Sequence, residues 1–303
     1  PAASASPVPS AVPPVIAPPA LTTRTQLALP YPGLGIAILM VLAVVVLQVL
    51  LAVPVEIVGA IVLKLAPGKL TQHPLVVGAV NCISIGLVIA AGILLNRAPL
   101  RTIFPLRPVR VALLGPIILP TLGAGILLSE VDNAFRWILP MPEWLMRAFH
   151  GLFLGSTCFW GTVLTMVVVA PVTEELLMRG LIFRGLLNRY NAVTAALVSA
   201  LLFALLHLNP WQFISAAALG VLFAWWFWET RSLVPCLAGH ALTNAMVVTF
   251  PHLPVKIPGF NTPPPAVEFQ PWWLDLTGLV LAALGIWWFA RLVGRSRATV
   301  ARR

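Results

Sequence analysis

The chain of 303 residues is 59% hydrophobic and only 9% charged, with a mean hydropathy of +0.96. Soluble domains carry about a quarter charged residues, so this composition excludes a water-soluble module and indicates a membrane protein. The formal charge of +10 would suit nucleic acid, but the basic residues are not gathered with stacking aromatics on one soluble surface, and no nucleic-acid partner is expected.

Residues 1–26, opening PAASASPVPSAVPPVIAPPA, are Pro/Ala-rich without a period that could bury a face, which predicts a disordered tail. The tail lacks the basic start and Pro-free apolar centre of a signal peptide. The sequence opens on Pro1 rather than Met, so a start upstream is expected. Apolar runs approaching the roughly 20 residues of a membrane-crossing helix follow at 34–63, 75–95, 109–129, 156–188, 193–208, 211–228, 233–250 and 272–291. They predict an all-α, polytopic transmembrane bundle of about eight spans, because no alternating barrel pattern is present and lipid satisfies no other backbone. The organisation expected is a tail (1–26), N-terminal transmembrane helices with an outer interfacial segment (27–155), a catalytic group of helices (156–250), and an outer loop, last span and basic tail (251–303). The interfacial segment is 130–155, where Trp137, Trp144 and Phe149 mix with charges. A Pro-rich outer loop is expected at 251–271, with Trp272, Trp273, Trp287 and Trp288 marking the two interfaces of the last span. Cys82, Cys158 and Cys236 lie in or beside apolar spans without CxxC spacing and are read as free thiols.

Arg97, Arg101, Arg107 and Arg110 follow the second span, and Arg291, Arg295, Arg297, Arg302 and Arg303 follow the last. With both termini in the cytoplasm, Arg24, Arg179, Arg184, Arg189 and Arg231 join them, and only Lys64, Lys69, Arg136, Arg147 and Lys256 of the 19 basic residues fall outside. That asymmetry predicts a multi-pass integral membrane protein with both termini cytoplasmic.

Ionisable groups inside spans are expensive and are functional hypotheses by default. Six residues stand out in three strings: Glu174, Glu175 and Arg179 in EELLMR, His207 in FALLH, and His240 and Asn244 in HALTN. Glu175 and Arg179 share a helix face and can pair, whereas Glu174 is turned about 100° away and left free for chemistry. If the chain turns near Tyr190 and Asn191, Glu174 and His207 reach the same depth, and Glu174 can act as general base on a water with His207 as partner. His240 and Asn244, one turn apart, can donate together to a developing oxyanion, and Gly239 permits close approach of another helix. His240 lies nearer the inner end than the other two. The depths agree if the hairpin projects into the cytoplasm, with the cavity opening toward that side.

These strings resemble the CPBP family of intramembrane proteases, which includes CAAX prenyl endopeptidases and bacteriocin-processing or abortive-infection-type proteins. The family signature EExxxR, FxxxH, HxxxN/D stands here as Glu174-Glu175-xxx-Arg179, Phe203-xxx-His207 and His240-xxx-Asn244, and the resemblance covers roughly 156–250. It implies an endopeptidase in which Glu174 and His207 activate water and His240 and Asn244 stabilise the oxyanion, with Glu175, Arg179 and Phe203 in support. Arg179 either orients Glu175 or binds a substrate carboxylate. The family has also been described as metalloproteases. Zinc held by Glu174, His207 and His240 is the alternative to a metal-free mechanism, which is favoured because HExxH is absent. The partners expected are membrane lipid and a protein or peptide substrate, lipidated or not. Trp211, Trp225, Trp226 and Trp228 are candidates to line a groove for a lipid chain or to anchor at the interface. The competing readings are a non-catalytic scaffold or immunity factor and, with less support, a proton-coupled transporter, against which the lack of repeated halves counts.

Overall fold

The computed structural model describes residues 32–96, 98–153, 158–262 and 267–301. The expected tail, with Arg24, Arg97, Arg302 and Arg303, lies outside them, as do the side chains of Arg295 and Arg297. The described residues form α1 (Leu34–Val62), α2 (Pro74–Asn96), α3 (Val111–Ile138), α4 (Glu143–Phe153), α5 (Phe159–Leu186), α6 (Ala192–Leu206), α7 (Pro210–Thr230), α8 (Val234–Thr249) and α9 (Trp272–Ala301), with no strand among them. The chain is an all-α polytopic membrane protein.

All eight expected spans form helices, but six of them, α1, α2, α3, α5, α7 and α9, are long and apolar enough to cross a membrane. The 15 residues of α6 and 16 of α8 rise only about 22–24 Å against a hydrocarbon thickness of roughly 30 Å. Local chemistry stops them early. After His207, Leu208 turns to φ 50°, and Asn209 restarts the chain as α7 by accepting the Trp211 N–H at 3.1 Å ahead of Pro210 in the first turn. In α8 the Ser232 hydroxyl accepts the Val234 N–H at 3.2 Å, and Pro251 follows two residues beyond the last helical position.

The third span differs at its far end. It runs through 130–138 instead of stopping near 129, leaving Glu143–Phe153 as a separate amphipathic helix. The charges that suggested a break are satisfied on the helix. Asp132 pairs with Arg136 at 2.9 Å, and Glu130 accepts from the Asn133 amide at 2.9 Å and from the Gln270 N–H at 3.0 Å. On α4, Glu143 pairs with Arg147 at 3.1 Å and Trp144 is exposed, as an interfacial helix requires.

Alternate ends of the helices fall at two faces of the bundle. Pro32 and Gly33, just before α1, touch Gly185 and Arg189, so the start of α1 shares an end with the end of α5. Leu233 N–H donates to Pro105 O at 2.9 Å, which brings the α7–α8 turn there too. Leu39, Leu42, Val46 and Leu50 on α1 are each more than half exposed, a lipid-facing flank, whereas α5 is the most enclosed of the six long helices.

The tightest helix pair is α3 with α9. A Cβ on Gly123 would stand 2.4 Å from Ala282 N and 2.5 Å from Gly278 O, backbone atoms that cannot turn aside. Small residues let two helices close in this way where lipid offers no hydrophobic drive. Gly123→Val is therefore expected to lower the thermal midpoint of the purified protein sharply, while Gly35→Val, where nothing lies within 4 Å, leaves it unchanged. Equal midpoints for the two variants would contradict the packing.

One aromatic expectation changes. Trp226 is fully buried against Gly239, Phe223 and Phe289, so it belongs to the core and neither lines a groove nor anchors an interface. Trp211 is tied to Leu139 O through its indole N–H at 2.7 Å, Trp225 packs on Phe289 at 4.8 Å, and Trp228 lies beneath Arg231. Trp272 and Trp287 are exposed, as membrane anchors are. None of the three cysteines forms a disulfide among the described residues, and Cys236 is buried with its thiol on Phe223 O.

Candidate active site

The first string sits on a helix that is not uniformly wound. α5 widens to π geometry over Leu164–Val169 and again over Leu176–Phe183, leaving Glu174 and Glu175 on the short α-helical stretch between. Such widenings concentrate at functional sites, and here the first has a visible reason. Ala170 N–H reaches back to Thr165 O, and Pro171, five residues past Met166, has no N–H to offer it. Asn244 of α8 supplies a donor, its side-chain amide reaching Met166 O at 2.8 Å. One amide hydrogen of Asn244 is thereby committed to holding α8 on α5, and the second remains to donate elsewhere.

Glu175 and Arg179 pair as expected, at 2.9 Å and with both side chains fully buried. The same guanidinium donates to Gly220 O of α7 at 3.0 Å and lies between two rings, 4.9 Å from the Phe203 centroid and 5.4 Å from that of Phe223. A planar fork with several donors can satisfy both oxygens while its faces meet aromatic rings. His240 closes the group, its Nδ1 lying 2.9 Å from Glu175 Oε1 and its ring stacked on Phe223 at 5.6 Å. Since that carboxylate oxygen accepts, His240 Nδ1 carries the hydrogen and Nε2 is turned the other way.

Nε2 faces Glu174. Its distance to Glu174 Oε2 is 3.7 Å, too long for a direct hydrogen bond, and that buried oxygen has no hydrogen-bond partner among the described residues. The two adjacent carboxylates therefore differ in kind. Glu175 is tied to Arg179 and His240 through Oε1, its Oε2 having no partner among the described residues, whereas Glu174 stands beside the His240 imidazole without a direct bond to it.

His207 joins differently from the hairpin expectation. It caps α6 and its Nδ1–H donates to Phe203 O at 2.9 Å, so that its neutral ring keeps a lone pair on Nε2. No hydrogen bond joins it to Glu174 among the described residues. It meets the cluster through Phe203, whose ring contacts His207 at 4.9 Å and His240 at 5.6 Å, both edge to face. The partner brought closest to Glu174 is His240.

The zinc alternative can be tested against this geometry. Two ligands each about 2.1 Å from one ion can stand as far apart as Glu174 and His240 do. A third does not converge, because no group of three or more His, Cys, Asp or Glu side chains among the described residues is placed to hold a metal.

Beside His207 lies an apolar hollow of about 360 Å³ lined by Phe135, Ala204, Leu205, Leu208, Asn209, Pro210, Phe213 and Ile214. It stands at the α6–α7 turn, at the end remote from the α7–α8 turn. Phe223 and Gly220 are site residues the sequence reading missed. Gly220 allows the α6–α7 approach, since a Cβ there would be 2.9 Å from Ala200 Cα, and nothing separates either residue in sequence from ordinary packing positions.

Comparison with known proteins gives two matches. Residues 156–246 match the family described as Type II CAAX prenyl endopeptidase Rce1-like. Over 94 residues, 31% of this chain, the sequence is 27% identical to the "Putative membrane peptidase YdiL" of Bacillus subtilis (strain 168), and the match spans 38% of that relative's length. No solved structure matches. The matched stretch contains every residue of the three strings.

Proposed function

We propose, on the premise that residues 156–246 form an Rce1-like domain of the CPBP protease type, that the chain is an intramembrane endopeptidase acting through a water held by Glu174. The observation that carries this reading is the buried, unpartnered Glu174 oxygen 3.7 Å from His240 Nε2. A fixed base next to a ring nitrogen of set tautomer is what general-base hydrolysis needs.

The steps follow from the donors and acceptors. Glu174 takes a proton from water as the hydroxide oxygen attacks the scissile carbonyl carbon, and the carbonyl electrons move onto its oxygen. His240 donates to that oxyanion through Nε2 only when the ring carries a second proton, because its Nδ1–H is held by Glu175. The spare amide hydrogen of Asn244 is the second donor. When the tetrahedral intermediate collapses, the proton on Glu174 passes to the leaving amine and the carboxylate is regenerated. His207, with its free Nε2, is assigned to guiding water or the leaving group, and Arg179 holds Glu175 instead of binding substrate, since its side chain is fully buried between Glu175 and Gly220 O.

The substrate is a membrane-associated protein or peptide. Its apolar portion, lipid chain or side chains, is assigned to the hollow beside His207, whose lining is almost wholly hydrocarbon. The arginine-rich end is assigned to the cytoplasm, with both termini there.

The test is cleavage of a peptide library, lipidated and unlipidated, by the purified full chain in liposomes with and without chelator. Cleavage that persists in chelator is expected. Loss in chelator with rescue by zinc would overturn the metal-free mechanism, and no cleavage by a folded protein would sink the peptidase reading.

A further inference from the structure

The charges of the described residues are segregated along the long axis of the molecule, and one end carries more arginines than carboxylates. Arg101, Arg107, Arg110, Arg184, Arg189, Arg231 and Arg291 stand at the end formed by the start of α1, the end of α5 and the α7–α8 turn. Among the described residues Glu229 is the carboxylate at that end, and it can balance one of them. Glu56, Glu130, Asp132, Glu143, Glu268 and Asp275 are at the other.

Three of these arginines are drawn together by the fold. The Ser232 hydroxyl donates to Arg107 O at 2.6 Å, which pins the segment before α3 beside Arg231. Phe183 meets Phe227 edge to face at 5.9 Å, which brings Arg184 on α5 alongside the end of α7. Arg184 is half-buried, and Arg231 and Arg107 are close enough to repel its charge. Arg231 closes α7 with φ 52°, its guanidinium 4.0 Å over the Trp228 ring. A half-buried cation with two like charges around it is unfavourable unless an anion joins them. Three guanidinium forks from three segments make a ready receptor for phosphate oxygens, and a tryptophan beside them places the group at headgroup depth.

We infer that Arg107, Arg184 and Arg231 form a binding site for the headgroup phosphate of an anionic phospholipid, joining the segment before α3, the end of α5 and the α7–α8 turn. This assignment does not rest on the peptidase reading, because none of the three arginines belongs to the catalytic cluster. A bound headgroup would clamp the end of the helix that carries Glu174 and Glu175.

The test uses the full chain in detergent with added phosphatidylglycerol, phosphatidylcholine or inorganic phosphate. Retained lipid is read by native mass spectrometry and the thermal midpoint is followed in parallel. Phosphatidylglycerol should be retained by the wild type and by Arg101→Gln, an exposed control at the same end. The double variant Arg107→Gln/Arg231→Gln should require at least about tenfold more lipid, and rising salt should weaken retention. If the double variant does not fold, Arg107→Lys, which keeps the charge but loses the planar fork, should still weaken retention. Equal retention of phosphatidylglycerol by wild type and variants, or equal retention of phosphatidylcholine, would overturn the site. A midpoint shift produced as well by inorganic phosphate would overturn the assignment to a lipid.

Discussion

Glu174→Gln is expected to lower peptide cleavage by roughly 10²–10⁴-fold, the range that a positioned general base contributes, while leaving the folded protein as stable as before or slightly more so. The two halves of this expectation come from the same atom. Glu174 Oε2 is buried without a hydrogen-bond partner, 3.7 Å from His240. A buried polar atom without a partner is destabilising, so a neutral amide of the same shape removes a liability along with the base. Stability rising as activity falls marks a residue kept for chemistry. A scaffold that used the motif for packing would show the opposite pattern, and a proton-coupled transporter would lose flux with no cleavage to lose. The measurement is the liposome cleavage rate beside the thermal midpoint in detergent. Retention of more than a tenth of the activity would remove Glu174 from the role of base.

Much of this architecture was legible because lipid imposes so few choices. Apolar runs alone located all eight principal helices, and i, i+4 spacing located the Glu175–Arg179 pair. Depth was harder to read. The pairing of Glu174 with His207 assumed an even α-helical rise and rotation, but α5 is wound in π geometry on both sides of Glu174, which shifts every register counted along it. The consequence is that His240, judged too shallow, meets both glutamates. Trp226 shows a second limit. Tryptophan in a membrane chain suggests an interface, yet here the contact with Gly239 draws it into the core, a pairing between helices that neither helix reveals alone. Phe223 has no signal of its own because its role, stacking on His240 and flanking Arg179, depends on partners from two other helices. The family resemblance named the three strings, but the distinction between the two glutamates came from which of them is tied to Arg179 and His240.

Arg179→Ala should be the most destabilising substitution in the site, by about 3–5 kcal/mol, the range seen when one partner of a buried ion pair is removed. Arg179 is fully buried, donates to Glu175 Oε1 and Gly220 O, and lies between Phe203 and Phe223. Its loss would leave Glu175 charged in a dry interior with His240 as its remaining partner, and would leave a gap between two rings. Arg179→Lys should recover only part of the stability, since a single ammonium cannot reach a carboxylate on its own helix and a carbonyl on α7 while covering two aromatic faces. The double variant Glu175→Gln/Arg179→Met should be less destabilised than the sum of its single variants, because removing both charges together strands neither. Activity is expected to fall in every one of these variants, including the most stable, because His240 Nδ1 would lose the oxygen that fixes its ring and turns Nε2 toward Glu174. The unfolding midpoint across this double-mutant cycle, with cleavage measured on whichever members fold, separates the two consequences. Additive losses in the cycle would show that Arg179 and Glu175 act independently, and full activity in the double variant would show that His240 needs no fixed tautomer.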